Sequence, residues 1–175
     1  SIMINCLVVD DEPIARQGLL EHIVQIDFLH PVAECMDAVE AAVWLNKKQI
    51  DLIFLDIQMP KLTGIDFLRN LSVSPLVIFT TAYPEYAIEG YELDVLDYLL
   101  KPISFSRFLK AALKAQDYLL KTKKASSNTE DYFFIKSNQK LEKIKMEDVL
   151  YVEGMSNYIV IHTRQKKHIA YLTFK

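Results

Sequence analysis

Five side chains that can do chemistry stand at the ends of apolar stretches in this sequence. They are Asp10, Asp11, Asp56, Thr81 and Lys101. A carboxylate beside an apolar strand costs free energy unless it is paired or binds a cation. Because the carboxyl ends of parallel strands meet at one edge of a sheet, we expect these side chains to form one site.

The residue types at this expected site suit the transfer of a phosphoryl group. Carboxylates that converge repel one another, so a proton or a cation must reduce their charge. Oxygen ligands without His or Cys favour Mg²⁺ over Zn²⁺. Lys101 adds a positive charge and Thr81 a hydroxyl donor, and both can stabilise a transferring phosphoryl group. Asp56 is the predicted nucleophile, which would form an acyl phosphate.

Taken singly, these features have simpler explanations. A strand-end Asp more often caps a helix or lies on the surface, and the pair Lys101–Pro102 alone would indicate a turn. Asp10 and Asp11 alone are equally compatible with helix capping and with metal binding. All the strand-end features together, in one order along the chain, favour a functional site.

The first 124 residues alternate between apolar strands and helices. Strands are predicted at 6–10, 31–35, 52–56, 76–80 and 97–101, and helices at 13–24, 38–48, 64–71, 85–90 and from 105 onward. Pro13, Asp37 and Ser104 are expected at helix starts. The last helix has a predicted inner stripe of Phe105, Phe108, Leu109, Ala112, Leu113, Gln116, Leu119 and Leu120. This alternation implies a parallel sheet covered by helices on both faces.

Composition and charge exclude several classes of protein. Hydrophobic residues make up 51% of the chain, but no apolar run approaches the roughly 20 residues that span a bilayer, and no signal peptide is visible. Cys6 and Cys35 lie among apolar residues, which favours buried thiols in a reducing cytoplasm over a disulfide. Residues 1–124 carry 12 Lys and Arg against 17 Asp and Glu, whereas 125–175 carry 8 against 6. The acidic first part disfavours nucleic acid, and the mildly basic second part permits nucleic acid without requiring it.

Three motifs together resemble the receiver domain of bacterial two-component response regulators. They are "LVVDDEP", "LIFLDIQMPKLTGIDFL" and "VIFTTAYPEYAIEGYELDVLDYLLKPI", and the resemblance covers residues 3–123. It implies a flavodoxin-like, doubly wound sheet of five parallel strands in the order 2-1-3-4-5. It also implies that a sensor histidine kinase supplies the phosphoryl group.

The resemblance also implies roles for individual residues. Asp56 matches the phosphoacceptor and Lys101 the phosphate-binding lysine. Thr81 and Tyr98 match a switch pair, and Pro102 matches a cis-proline. The implied Mg²⁺ ligands are Asp10, Asp11, Asp56 and the backbone carbonyl of Gln58.

The implied switch repacks one surface of the receiver. Phosphoryl oxygens on Asp56 would attract the Thr81 hydroxyl and open space into which Tyr98 can rotate. From the residues alone, Tyr98 would be interpreted as a packed sheet aromatic. The surface involved is made by the helix after the fourth strand, the fifth strand and the helix after that strand. A receiver homodimer through this surface is a further expectation.

The pattern changes after the polar segment "KTKKASSNTED" (121–131). Short strands are predicted at 132–137, 140–146, 149–154, 157–163 and 168–174, with no helix. Such a region is small for an independent core, and the sequence stops beside an expected strand, so we expect a truncated all-β domain.

This second region resembles the first half of a LytTR DNA-binding domain, through "FFIKSNQK" and "DVLYVEG…NYI". The implied domains are a receiver at 1–123, a linker at 124–131 and a partial LytTR domain at 132–175. The complete output domain would bind promoter DNA. No DNA-contacting residue is assigned, because a solvated strand face explains each basic residue of this region better.

The leading hypothesis is a phosphorylation-controlled transcription regulator of the cytoplasm with Mg²⁺ as its cofactor. It is not expected to be an enzyme beyond slow self-phosphorylation and self-dephosphorylation. An alternative is a receiver whose output is protein–protein interaction. An Asp-nucleophile phosphatase of the haloacid-dehalogenase type is disfavoured, because that family requires D-x-D after the first strand, where this chain has Asp10-Asp11-Glu12.

Overall fold

A computed structural model describes residues 2–72, 75–86, 93–127, 132–137 and 140–171. The chain divides into two compact units, Ser1–Lys121 and Thr122–Lys175. Most of the helix predicted at 85–90 lies outside the described residues.

The first unit is an α/β structure built on a five-stranded parallel sheet. Its strand order is β2-β1-β3-β4-β5, as predicted. The strands are β1 (Ile4–Val9), β2 (Leu29–Cys35), β3 (Leu52–Asp56), β4 (Leu76–Thr81) and β5 (Asp97–Leu100). The described helices are α1 (Pro13–Ile23), α2 (Ala38–Lys47), α3 (Gly64–Arg69) and α4 (Phe105–Ser127). Predicted and observed bounds of these elements agree within two residues wherever both ends were predicted.

Two hydrophobic clusters cover the two faces of this sheet. Successive residues of β3 alternate between them: Leu52 and Phe54 belong to one cluster, and Ile53 and Leu55 belong to the other. All four side chains are fully buried. A strand that is buried on both faces has a continuous run of apolar residues, which is why "LIFL" shows no alternation of apolar and polar residues.

The helix starts follow the capping pattern of the sequence. Pro13 occupies the first turn of α1, where its missing N–H costs no helical hydrogen bond. The Asp37 carboxylate accepts from the backbone N–H of Glu40 at 2.9 Å, which caps α2. The Ser104 hydroxyl accepts from the backbone N–H of Arg107 at 3.3 Å and precedes α4. The expected starts at these three positions are confirmed.

The predicted inner stripe of α4 was wrong in part. Leu113 and Leu120 are 47% and 40% exposed, whereas Ala111 and Ala115 are fully buried beside Phe108. The prediction followed the large apolar side chains. The face of α4 that meets the core instead runs through Phe108, Ala111, Ala112 and Ala115, which are spaced three and four residues apart on one side of the helix.

The helix α4 continues to Ser127. It therefore extends four residues into the segment 124–131 that was predicted as a linker. The division into compact units falls between Lys121 and Thr122.

The second unit consists of antiparallel strands, as the short-strand pattern predicted. Strands β6 (Tyr132–Ser137) and β7 (Lys140–Lys145) form one sheet, and β8 (Val149–Gly154), β9 (Tyr158–Thr163) and β10 (Lys167–Tyr171) form another in the order β10-β9-β8. Beyond α4, the described residues of this unit include one 3₁₀ turn, at Met146–Asp148, which the sequence did not predict. The buried centre is small and consists of Ile135, Ile144 and Ile161.

Within the described part of the chain, no helix combines the length and apolar character required to cross a membrane.

Candidate functional site

Three carboxylates predicted as a cluster do meet at one edge of the parallel sheet. Asp10, Asp11 and Asp56 each place an oxygen within 4.8 Å of the others. Asp10 follows β1 and Asp56 ends β3, and these strands are hydrogen-bonded neighbours. The strand order reverses between β1 and β3, which is where open α/β sheets form their binding crevice.

Backbone contacts hold Asp10 in place. Its backbone N–H donates to the carbonyl of Cys35 at 3.1 Å, at the end of the neighbouring strand β2. Its carboxylate accepts from the backbone N–H of Glu12 at 2.9 Å, and its carbonyl accepts from Arg16 at 2.8 Å. The Asp10 side chain is fully buried. These contacts fix the carboxylate before any ligand arrives.

Lys101 joins the acidic cluster from the far edge of the sheet. Its ammonium nitrogen lies 2.7 Å from Asp10 and 3.6 Å from Asp56. Its backbone N–H donates to the carbonyl of Thr81 at 2.7 Å, so the lysine is anchored where β4 and β5 end. Burial alone would lower the pKa of Lys101, but the hydrogen bond to Asp10 and the charge of Asp56 raise the pKa overall. The lysine is therefore held in its charged form.

Asp56 is the carboxylate whose ionisation the site opposes most clearly. Burial, followed by the charge of Asp10, raises the pKa of Asp56 from 3.8 to about 7, although Lys101 and the backbone N–H of Gln58 act in the opposite direction. The positive charge of one lysine therefore does not fully offset the negative charge of these carboxylates. A divalent cation would lower the pKa of Asp56 and keep it ionised.

The donor set fits Mg²⁺. The clustered oxygens come from carboxylates alone, and hard oxygen ligands with room for water are what this cation prefers. Asp10, Asp11 and Asp56 would hold it. The carbonyl of Gln58 stays a prediction, since the described contact of that residue with Asp56 is through its backbone N–H.

Gly64 is a site residue that the sequence reasoning missed. A Cβ built at this position would lie 2.2 Å from the backbone carbonyl oxygen of Asp56. The backbone N–H of Gly64 donates to the carbonyl of Ile57 at 2.8 Å. Only glycine lets α3 begin this close to the end of β3. The glycine within "PKLTGIDFL" was the available signal, because glycine in this position indicates close backbone approach.

Lys61 adds backbone strain to the loop that joins β3 to α3. Its φ is +69°, and the backbone N–H of Leu62 donates to the carbonyl of Pro60 at 2.9 Å across it. This three-residue turn with positive φ is rare for a residue that carries a Cβ. The loop that follows Asp56 is thus tightly folded rather than extended.

The expected switch pair, Thr81 and Tyr98, meets through the backbone of Tyr83. The Thr81 hydroxyl accepts from the backbone N–H of Tyr83 at 3.1 Å. The Tyr98 hydroxyl donates to the backbone carbonyl of Tyr83. Burial raises the pKa of Tyr98, and interaction with the Thr81 hydroxyl moderates that rise. Both side chains therefore contact the same short segment after β4.

One predicted and one unpredicted feature also lie near the site. The Lys101–Pro102 peptide bond is cis, which confirms that prediction. The exposed side chain of Gln58 donates to the Tyr86 hydroxyl at 3.2 Å, which places the loop after β3 beside the segment after β4.

Comparison with known proteins agrees with this arrangement. Residues 6–114 match the family model of the response regulator receiver domain. The transcriptional regulatory protein BtsR of Salmonella typhi is 34% identical over 180 residues, which cover 99% of this chain and 75% of that protein. BtsR of Escherichia coli is 34% identical over 171 residues, which cover 94% of this chain and 72% of that protein.

Solved receiver structures share the fold. The response regulatory domain of mrkE from Klebsiella pneumoniae matches with a TM-score of 0.63 and 30% identity, over 67% of this chain and 99% of that one. The REC domain of AraT, a response regulator from Geobacillus stearothermophilus, matches with a TM-score of 0.62 and 31% identity, over 70% of this chain and 99% of that one. Receiver-domain response regulators are phosphoacceptors rather than classical enzymes. The chain belongs to the response regulator receiver family.

Proposed function

We propose that Asp56 accepts a phosphoryl group from a sensor histidine kinase, and that this event controls a transcription-regulating output. The observation that carries the proposal is the position of Lys101, whose ammonium lies 2.7 Å from Asp10 and 3.6 Å from Asp56. Lys101 thus places a positive charge beside the buried Asp56, which is itself one of the three clustered carboxylates. This is the arrangement that phosphoryl transfer requires.

The chemistry assigns one step to each side chain. A carboxylate oxygen of Asp56 attacks phosphorus, the bond from phosphorus to the donor nitrogen breaks, and an acyl phosphate forms. Lys101 stabilises the negative charge on the phosphoryl oxygens. A bound Mg²⁺ would neutralise further charge on these oxygens and on the carboxylates. Asp10 orients Lys101 through their 2.7 Å contact.

The contacts of Thr81 and Tyr98 support a switch role for this pair. Thr81 and Tyr98 both bond to the backbone of Tyr83 in this structure. A phosphoryl oxygen on Asp56 would compete for the Thr81 hydroxyl and so disturb the segment that holds Tyr98. The conformational signal would then leave the site through Tyr98. A homodimer formed through the surface around β5 is one proposed recipient of that signal.

The proposed domains are a receiver at 1–123, a linker at 124–131 and the first part of a LytTR-type output at 132–175. Support for a transcriptional output comes from the BtsR relatives, which are transcriptional regulatory proteins and match nearly the whole chain. The antiparallel strands of the second unit agree with such an output. An output that binds protein instead of DNA is the alternative, and a gel shift with promoter fragments discriminates the two.

The experiment that tests the phosphoacceptor is direct. The chain is incubated with Mg²⁺ and acetyl phosphate, and its intact mass is measured. The expected result is the addition of one phosphate, which is absent in Asp56→Asn and absent when EDTA replaces Mg²⁺. A phosphate adduct of the same yield in Asp56→Asn overturns the assignment.

A further inference from the structure

A histidine on α1 contacts the loop that carries Lys101. The Nε2 atom of His22 lies 2.9 Å from the backbone carbonyl oxygen of Ile103. A carbonyl oxygen only accepts hydrogen bonds, so Nε2 carries the proton and donates. Ile103 lies two residues after Lys101, in the connection between β5 and α4. His22 therefore ties α1 to this loop across the edge of the sheet.

The surroundings of the imidazole suggest that the hydrogen bond, not packing, explains the histidine. The ring packs against Phe105 and Phe108, with ring centroids 5.6 and 5.2 Å away. Its Nδ1 atom is buried and has no hydrogen-bond partner among the described residues. A buried acceptor without a partner costs free energy. A phenylalanine or leucine would fill the same space without that cost, but could not hold the Ile103 carbonyl.

The loop is also attached at both ends. The backbone N–H of Lys101 donates to Thr81 at 2.7 Å, and Ser104 caps the start of α4. Pro102, which lies between them, has no N–H to offer. His22, Lys101, Pro102 and Ile103 line one cleft of about 400 Å³. The bond from His22 thus restrains the middle of the short segment from which the Lys101 side chain reaches Asp10 and Asp56.

We propose that His22 is a positioning residue for Lys101. It holds the Ile103 carbonyl, and through it the loop after β5, so that the ammonium stays in register with the phosphoacceptor. This inference rests on the proposed role of Asp56. A displacement of about 1 Å at a charge-stabilising group is enough to slow a reaction strongly, so loss of this tether is expected to slow phosphoryl transfer without abolishing it.

Two variants separate the hydrogen bond from the packing. His22→Phe keeps an aromatic ring against Phe105 and Phe108 but removes the donor. His22→Gln places an N–H donor close to the original Nε2 position. The initial rate of Asp56 phosphorylation by acetyl phosphate with Mg²⁺ is measured by intact mass, beside urea unfolding of each variant. We expect His22→Phe to be about 10-fold slower than wild type and His22→Gln to recover most of the rate. If His22→Phe does not unfold cooperatively in urea, the same measurements are made on His22→Leu, which also lacks the donor.

A double-variant comparison shows whether His22 acts through Lys101. In a Lys101→Ala background, His22→Phe is expected to change the remaining slow rate by less than twofold. An equal slowing in both backgrounds overturns the inference, as does a wild-type rate in His22→Phe. Failure of wild type itself to take phosphate on Asp56 overturns the proposed function instead, and the inference with it.

Discussion

The ammonium of Lys101 lies closer to Asp10 than to Asp56, at 2.7 Å against 3.6 Å. Asp10 is thus the main partner of the lysine in this state, which leaves the Asp56 carboxylate incompletely neutralised. Burial and then the charge of Asp10 raise the pKa of Asp56 to about 7, and Lys101 opposes this rise only in part. A carboxylate that is held in place but not tightly paired can still attack phosphorus as a nucleophile.

Replacement of Lys101 tests the electrostatic part of this arrangement. Lys101→Ala is expected to slow phosphorylation of Asp56 by acetyl phosphate about 100-fold, because a group that stabilises developing charge is removed. Lys101→Arg keeps the charge but not the compact ammonium, and should retain an intermediate rate. An Ala variant within threefold of wild type would show that the lysine does not stabilise the transferring group.

The raised pKa of Asp56 predicts an unusual dependence of the free energy of unfolding on pH in the absence of divalent cations. Its pKa is raised from 3.8 to about 7 in the folded state. The stability linked to its protonated form is therefore complete below pH 3.8 and is lost as the pH rises through about 7. In EDTA, Asp56→Asn should exceed wild type in free energy of unfolding by about 1–4 kcal/mol at pH 8 and by little at pH 4.

Urea unfolding at several pH values measures this difference. Added Mg²⁺ should stabilise wild type more than Asp56→Asn at pH 8 and so narrow the gap between them. A difference between the two proteins that does not change from pH 4 to pH 8 would contradict the description of Asp56 as a poorly neutralised carboxylate.

Gly64 provides a steric prediction with a matched control. In Gly64→Ala the new Cβ would lie 2.2 Å from the carbonyl oxygen of Asp56, so the end of β3 or the start of α3 must move. The expected loss is about 1–3 kcal/mol of stability, together with slower phosphorylation. Gly18→Ala, in the interior of α1, meets no atom within 4 Å and should stabilise the protein by about 0.5–1 kcal/mol.

Both variants are measured by urea unfolding and by the acetyl phosphate assay. Equal behaviour of the two alanine variants would mean that close approach of α3 to Asp56 does not constrain the site.

The ion pair between Asp97 and Arg107 predicts acid sensitivity. Two Arg107 nitrogens donate to the Asp97 carboxylate at 3.0 and 2.7 Å. Burial raises the pKa of Asp97, but the bonds from Arg107 outweigh it and lower the pKa overall. The stabilisation is therefore fully present above the ordinary Asp pKa and is lost as the pH falls through the lowered pKa of the folded protein.

Because Arg107 is partly exposed, Asp97→Asn should cost only about 1 kcal/mol at pH 7, and less at high salt. The exposed pair of Lys121 and Asp117, joined at 2.8 Å, provides the control, and Asp117→Asn should have the smaller effect. A cost for Asp97→Asn that does not decrease as the pH falls below the ordinary Asp pKa would rule out the ion pair as its origin.

The parts of the fold that could be predicted are those set by local pattern. The apolar runs that end in Asp10, Asp56 and Lys101 show where strands stop, and parallel pairing brings such ends to one edge. The contacts that escaped prediction depend on close approach between elements. Gly64 and His22 acquire their roles only when α3 meets β3 and α1 meets the loop after β5, and neither approach leaves a periodic signal in the sequence.

The identity of the phosphoacceptor is tested most directly by chemical trapping. The chain is treated with acetyl phosphate and Mg²⁺, then with borohydride, which reduces an acyl phosphate to an alcohol and so converts the modified aspartate to homoserine. The proteolytic peptides that contain residues 52–60 and residues 10 and 11 are then sequenced by mass spectrometry. Homoserine at position 56, and not at positions 10 or 11, is the predicted result. Homoserine at Asp10 or Asp11 with Asp56 unchanged would contradict the account.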